Sequence, residues 1–159
     1  MDTGLLAWDV TKTYSAANIA AGIAPSFGQI QAGQNGSEFI FLKGVASLAA
    51  GDVVTYNRAT GVTVRGVANG IGKVGVSMVA NTAATVGSWF QIKGLALANV
   101  ATGFAAGAVT YLTATAGVVD DAKVTGDGIL GCVSATAISS SQAYLDINYP
   151  YVTALFPAA

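Results

Sequence analysis

Phe39-Ile40-Phe41-Leu42-Lys43-Gly44-Val45-Ala46 and Trp89-Phe90-Gln91-Ile92-Lys93-Gly94-Leu95-Ala96 align with one another, and they open two copies of one longer pattern. Ala49-Ala50-Gly51-Asp52 leading to Val54-Thr55-Tyr56 aligns with Ala105-Ala106-Gly107 leading to Val109-Thr110-Tyr111. Gly61-Val62 falls on Gly117-Val118, and Gly70-Ile71-Gly72-Lys73-Val74-Gly75 falls on Gly126-Asp127-Gly128-Ile129-Leu130-Gly131. Trp89-Phe90-Gln91-Ile92 then recurs as Tyr144-Leu145-Asp146-Ile147, so the spacing between copies stays near 50 to 56 residues. A period of that length marks two structural units that share a core.

Within each copy, short runs of β-branched and aromatic residues are separated by Gly, Asn and Thr turns at intervals of about ten residues, the pattern of a sandwich or barrel. The first copy predicts strands around Glu38 to Ala46, Val53 to Asn57, Val62 to Gly66, Lys73 to Ala80 and Ser88 to Lys93. The second repeats that order and ends at Tyr144 to Asn148. The expected fold is therefore all-β: a small barrel or sandwich of two similar β repeats, with extended N- and C-terminal arms. Residues 1–37 form the N-terminal arm, residues 38–148 the β domain (repeats at about 38–93 and 89–148), and residues 149–159 the C-terminal tail. The Ala-rich stretch Ala16 to Pro25 is too weakly patterned for strand or amphipathic helix and reads as part of an extended arm. Tyr149-Pro150-Tyr151-Val152-Thr153-Ala154-Leu155-Phe156-Pro157, broken by two prolines, is not expected to pair as an interior strand.

Charge is scarce. Of 159 residues, 53% are hydrophobic and 9% charged, against about 25% charged in ordinary soluble domains. A surface so poor in charge predicts a protein covered by partners, an oligomer or coat component. The seven basic residues are scattered singly from Lys12 to Lys123 and the net charge is −1. No basic stripe is available to neutralise phosphates, so nucleic acid is not an expected partner. Asp2 stands where a secretory leader needs positive charge and no long apolar run follows, which predicts synthesis and assembly in a cytoplasm. Gly94 to Val119 is long enough to span a membrane and uncharged. Its Ala, Gly and Thr drive insertion poorly, and its first-copy counterpart carries Asp52, Arg58 and Arg65, so it reads as strands and no membrane span is expected.

The chemistry-bearing residues point away from catalysis. Histidine is absent, which removes the commonest general base and zinc ligand together. Gly70-Ile71-Gly72-Lys73-Val74-Gly75 matches GxGxxG, yet a dinucleotide site needs a helix after it and an acid about 20 residues on; here strand follows and the next acid is Asp120. Asp120, Asp121 and Asp127 can be drawn as a cation cluster, but they lack the alternating ligand order of a calcium loop, and Asp120-Asp121-Ala122-Lys123 reads as a solvated turn. Glu38 and Asp52 with those acids lack the buried setting that two-carboxylate hydrolysis requires. The lone Cys132 reads as a small buried hydrophobe. No enzyme, metal or cofactor is expected.

Phe39, Phe41, Tyr56, Trp89, Phe90, Tyr111 and Tyr144 recur at equivalent places and read as shared core. Aromatics and leucines outside the repeat read instead as interface anchors: Leu5, Leu6, Trp8, Tyr14, Tyr149, Tyr151, Leu155 and Phe156. Deleting residues 1–14 or 149–159 is expected to leave the β body folded.

The runs Ile92-Lys93-Gly94-Leu95-Ala96, Ala105-Ala106-Gly107-Ala108-Val109-Thr110-Tyr111, Ala116-Gly117-Val118-Val119, Gly128-Ile129-Leu130-Gly131-Cys132-Val133 and Ala143-Tyr144-Leu145-Asp146-Ile147 resemble the strand pattern of tailed-bacteriophage capsid decoration (cement) proteins. The resemblance covers about residues 38 to 148. It implies a small β-barrel-like protein, commonly a homotrimer, that binds the major capsid protein on the outside of an icosahedral head and bridges neighbouring subunits. A carbohydrate- or surface-binding β module of a phage fibre or surface layer is the alternative class; it requires an exposed aromatic platform.

Overall fold

The computed structural model of the chain describes residues 8–123 and 127–153. It is almost entirely β, as the turn spacing predicts. The strands are β1 (Ile30–Ala32), β2 (Glu38–Lys43), β3 (Val53–Tyr56), β4 (Thr63–Arg65), β5 (Gly72–Ser77), β6 (Gly87–Asn99), β7 (Val109–Leu112), β8 (Val119–Asp120), β9 (Gly128–Ser134) and β10 (Gln142–Val152). They join in one antiparallel sheet ordered β1-β2-β6-β5-β10-β9-β7-β8, with β3 bridging β4 and β5; the sheet does not close into a barrel.

The two repeats have the same internal pairing. In the first, β2 pairs with β6, β6 with β5, β5 with β3 and β3 with β4. In the second, β6 pairs with β10, β10 with β9, β9 with β7 and β7 with β8. Strand β6 is thus the last strand of one repeat and the first of the next, and β10 also pairs with β5 to join the units.

This pairing corrects one block of the sequence alignment. Phe41 stands opposite Trp89, and Leu97 stands opposite Tyr144. The counterpart of Phe39 to Leu42 is therefore Leu95 to Ala98, six residues beyond the match suggested by the shared Lys-Gly. An even slip keeps every side chain on the same face, so the apolar pattern alone cannot expose it.

Interiors follow the corrected register. Ile40, Leu42, Leu48, Phe90 and Ile92 form the first repeat's core. Ala96, Ala98, Phe104, Leu145 and Ile147 hold the equivalent places in the second. The second core has alanines where the first has Ile40 and Leu42, and Val53, Val74 and Val76 from the first repeat's other face join its cluster. Close packing at constant density demands such a substitute for the missing volume.

Both arms differ from expectation. Residues 16–20 form a short helix α1 (Ala16–Ala20), capped by the Ser15 hydroxyl oxygen accepting from the Asn18 N–H at 3.2 Å. Nearby, β1 pairs with β2, and Tyr14 exchanges both backbone hydrogen bonds with Gly87 at 2.8 and 2.9 Å. The region 8–37 is thus bound to the β body rather than a free arm. At the other end, Tyr151 and Val152 do pair in the sheet interior, with Tyr151 between Lys73 and Leu130. Pro150 is tolerated because it sits where the β9–β10 register shifts between Ile147 and Tyr151, beside Tyr149 at φ 48°; a bulge needs no ladder N–H at that position.

Candidate functional site

Most acids among the described residues hold local structure. Asp52 is buried, contrary to the exposed turn expected of it: its carboxylate accepts from Arg65 Nε at 2.8 Å, Asn99 Nδ2 at 2.9 Å and the Ala49 N–H at 3.0 Å. Because Asn99 also accepts from Gln142 Nε2 at 3.0 Å, this network ties the first repeat's turn to the second repeat. Asp120 accepts from the Asp121 N–H, Asp121 from the Ala105 N–H and Asp127 from the Asn69 N–H. Asp127 is buried. No group of three or more metal-ligating side chains comes together among the described residues.

Gly70 to Gly75 leads straight into β5 with no helix after it, so its backbone offers no phosphate cradle of the helix-terminus kind. Cys132 is buried, and that burial pushes its thiol up to about 11, leaving it without thiolate character at neutral pH. Gly94 to Val119 contains β6, β7 and β8, and no helix among the described residues is long and apolar enough to cross a membrane.

The outward sheet faces of the two repeats differ sharply. On the first repeat's outward face, Phe39, Phe41 and Trp89 lie under Trp8, Val10, Tyr14, Phe27 and Met78. Rings stack Phe27 on Phe41 at 5.5 Å and set Tyr14 and Trp89 edgewise to Phe41 at 5.5 and 5.3 Å. Each such pair contributes about 0.5–1.5 kcal/mol beyond its buried area. Trp8 is fastened by reciprocal hydrogen bonds with Gln31 at 2.7 and 2.9 Å. Beside them Gln91 is buried, donating from Nε2 to the Lys93 and Leu95 carbonyls at 3.0 Å. The tight fit leaves Trp89 Nε1 without an acceptor among the described residues.

The second repeat's equivalent face is bare. Leu95, Leu97, Val109, Val133 and Tyr144 are 42–58% exposed, whereas Phe39, Phe41, Val53, Val76 and Trp89 are at most 8% exposed. The bare side chains are contiguous: Leu95 stands opposite Asp146, Asp146 opposite Val133 and Val133 opposite Val109. Tyr144, expected in the core, is therefore a surface residue, because nothing described covers its side of β10.

The sequence-derived anchors divide accordingly. Trp8 and Tyr14 belong to the first repeat's covered cluster. Tyr149 donates its hydroxyl hydrogen to Glu38 and lies under the Lys93 ammonium, 5.7 Å from its ring centre. That hydroxyl and the Lys93 ammonium, 3.1 Å from Glu38, hold the Glu38 carboxyl below its usual range. The Glu38 hydrogen bond in turn raises both Tyr149 and Lys93. Tyr151 is exposed beside Lys73. Leu5, Leu6, Leu155 and Phe156 lie outside the described residues. Sequence reasoning missed Leu95, Leu97, Val109 and Val133. A signal for two of them existed: Leu95-Ala96-Leu97-Ala98 is apolar in both phases of the strand period, the mark of a strand that is covered on both sides. No protein-family model matches the chain, and no curated protein matches it.

Proposed function

We propose that this is a non-enzymatic structural protein that decorates the outer surface of an icosahedral phage head as a homotrimer, bridging subunits of the major capsid protein. The observation that carries the reading is the bare apolar face of the second repeat on a chain only 9% charged. An uncovered sheet face of this kind is an association surface rather than a solvated one. Apart from Asp146, the acids among the described residues are engaged in backbone hydrogen bonds or ion pairs, an arrangement that suits a rigid module better than a reaction centre. A trimer matches the local threefold junctions of such a shell and multiplies weak individual contacts through effective concentration. Binding only the assembled lattice stabilises it, by about 2.7 kcal/mol per site at a free concentration one hundred times Kd.

The test is co-sedimentation of the purified protein with assembled, undecorated heads. The expected result is saturable binding to heads, none to unassembled capsid subunits, and a higher melting temperature of the decorated shell. Saturation without any preference for assembled heads, or no binding at all, overturns the proposal. The tail part of the reading is tested by deleting residues 154–159, beyond the last strand; weaker head binding with an unchanged fold is expected. Deleting residues 1–14 is not an equivalent test, since it strips Trp8 and Tyr14 from Phe41.

A further inference from the structure

Two exposed apolar patches on the repeats have complementary charge. The first is the bare face of β6, β10, β9 and β7, where Leu95, Leu97, Val109, Val133 and Tyr144 surround one charged group, Asp146. Asp146 has no ion-pair partner among the described residues. The second lies on β3, β4 and β5, where exposed Val62, Val64 and Ile71 line a depression of about 500 Å³ rimmed by Arg58 and Lys73. Neither cation is in an ion pair among the described residues, and Arg58 is engaged only through Nε, which donates to the Gly28 carbonyl at 3.2 Å.

We infer that the acid-centred face of the second repeat docks on the cation-rimmed Val62, Val64 and Ile71 patch of a second copy of this chain, head to tail. The inference rests on the self-association proposed above but not on the capsid. The first repeat demonstrates the chemistry: the equivalent face there is filled by apolar and aromatic side chains from outside its own strands. A twofold pairing of the bare face with itself would bring two Asp146 carboxylates into one apolar contact without a cation, an arrangement that like-charge repulsion at an interface disfavours. Against Lys73 and Arg58 the same carboxylate is attracted, and apolar area is removed from water on both partners. Since the two patches are different surfaces, every copy added leaves one of each unfilled until a ring closes, and only closure satisfies all of them.

Two variants test this: Leu97→Lys with Tyr144→Lys, and Val64→Lys with Ile71→Lys. All four positions are exposed, so circular dichroism and thermal melting of dilute protein are expected to match the intact chain. In sedimentation velocity each variant alone is expected to lose the oligomer and run as a monomer. An equimolar mixture regains one good junction and is expected to run as a heterodimer and nothing larger. An oligomer of intact mass from either variant, or a mixture that stays monomeric, overturns the head-to-tail contact. A monomeric intact chain overturns the self-association reading as well. Head binding by a monomeric variant leaves the capsid proposal standing.

Discussion

The two repeats share strand order and register, yet one outward face is roofed by aromatic side chains and the other is open. Phe41 and Trp89 pair beneath Tyr14 and Phe27, while their counterparts Leu97 and Tyr144 face outward. Pairing was duplicated and cover was not. The lesson is that a repeated strand pattern specifies backbone partners but not what lies over the sheet, because cover comes from residues outside the repeat. In the first repeat it comes from the N-terminal segment and, through Val53, Val74 and Val76, from the second repeat's core.

The largest expected difference between the faces is in truncation of the facing aromatics. Trp89→Ala should cost about 3–5 kcal/mol, the range for large aromatics removed from a packed core. Tyr144→Ala should stay within about 0.5 kcal/mol, as for a surface residue. Urea unfolding of dilute protein measures both, and equal costs would mean that the second face is covered within the monomer.

A smaller difference separates Gly75 of β5 and Gly131 of β9, which the sequence aligns but the strand register sets one residue apart, with Val76 matching Val133. Gly131 has φ +71° and a Cβ added there would lie 2.7 Å from the Asn148 carbonyl oxygen, whereas one at Gly75 would meet Phe90 Cβ at an ordinary 3.4 Å. Gly131→Ala should therefore cost about 1–3 kcal/mol through backbone strain, and Gly75→Ala less than about 1 kcal/mol. Thermal melting of the two variants ranks them, and the reverse order would contradict the geometry.

The smallest effect is on pH. Glu38 is held below its usual range by Tyr149 and Lys93, so its contribution is present above the unfolded value of about 4.3 and lost as pH falls through the lower folded one. Tyr149 and Lys93 are raised, so theirs is present below their unfolded values and lost as pH rises through the folded ones. Glu38→Gln should shrink the difference in urea midpoint between pH 7 and pH 3. An unchanged difference would show that this first-repeat triangle contributes nothing that the open second repeat lacks.

Much of the architecture was legible because its signals are local. Turn glycines and β-branched runs placed the strands β3, β4 and β5 within a few residues, and the match of Gly75 to Gly131 picked out the equivalent strands β5 and β9 while missing their register by one residue. The candidate surface was less legible. Trp8 and Tyr14 read as free anchors because their partners, Phe41 and Gly87, lie far along the chain. Tyr144 read as core because an aromatic residue in an alternating strand fits a buried or an interfacial place equally well.

By itself the sequence determined a duplicated all-β chain, a charge-poor exterior and the absence of histidine chemistry, since these depend on composition and on the period of two along a strand. Only the tertiary structure decided that β6 serves both repeats, that Pro150 lies at a bulge inside the sheet, and which apolar strand face stays uncovered. Those outcomes depend on contacts between residues distant in the chain, and an even register slip or a missing cover leaves the local apolar pattern unchanged.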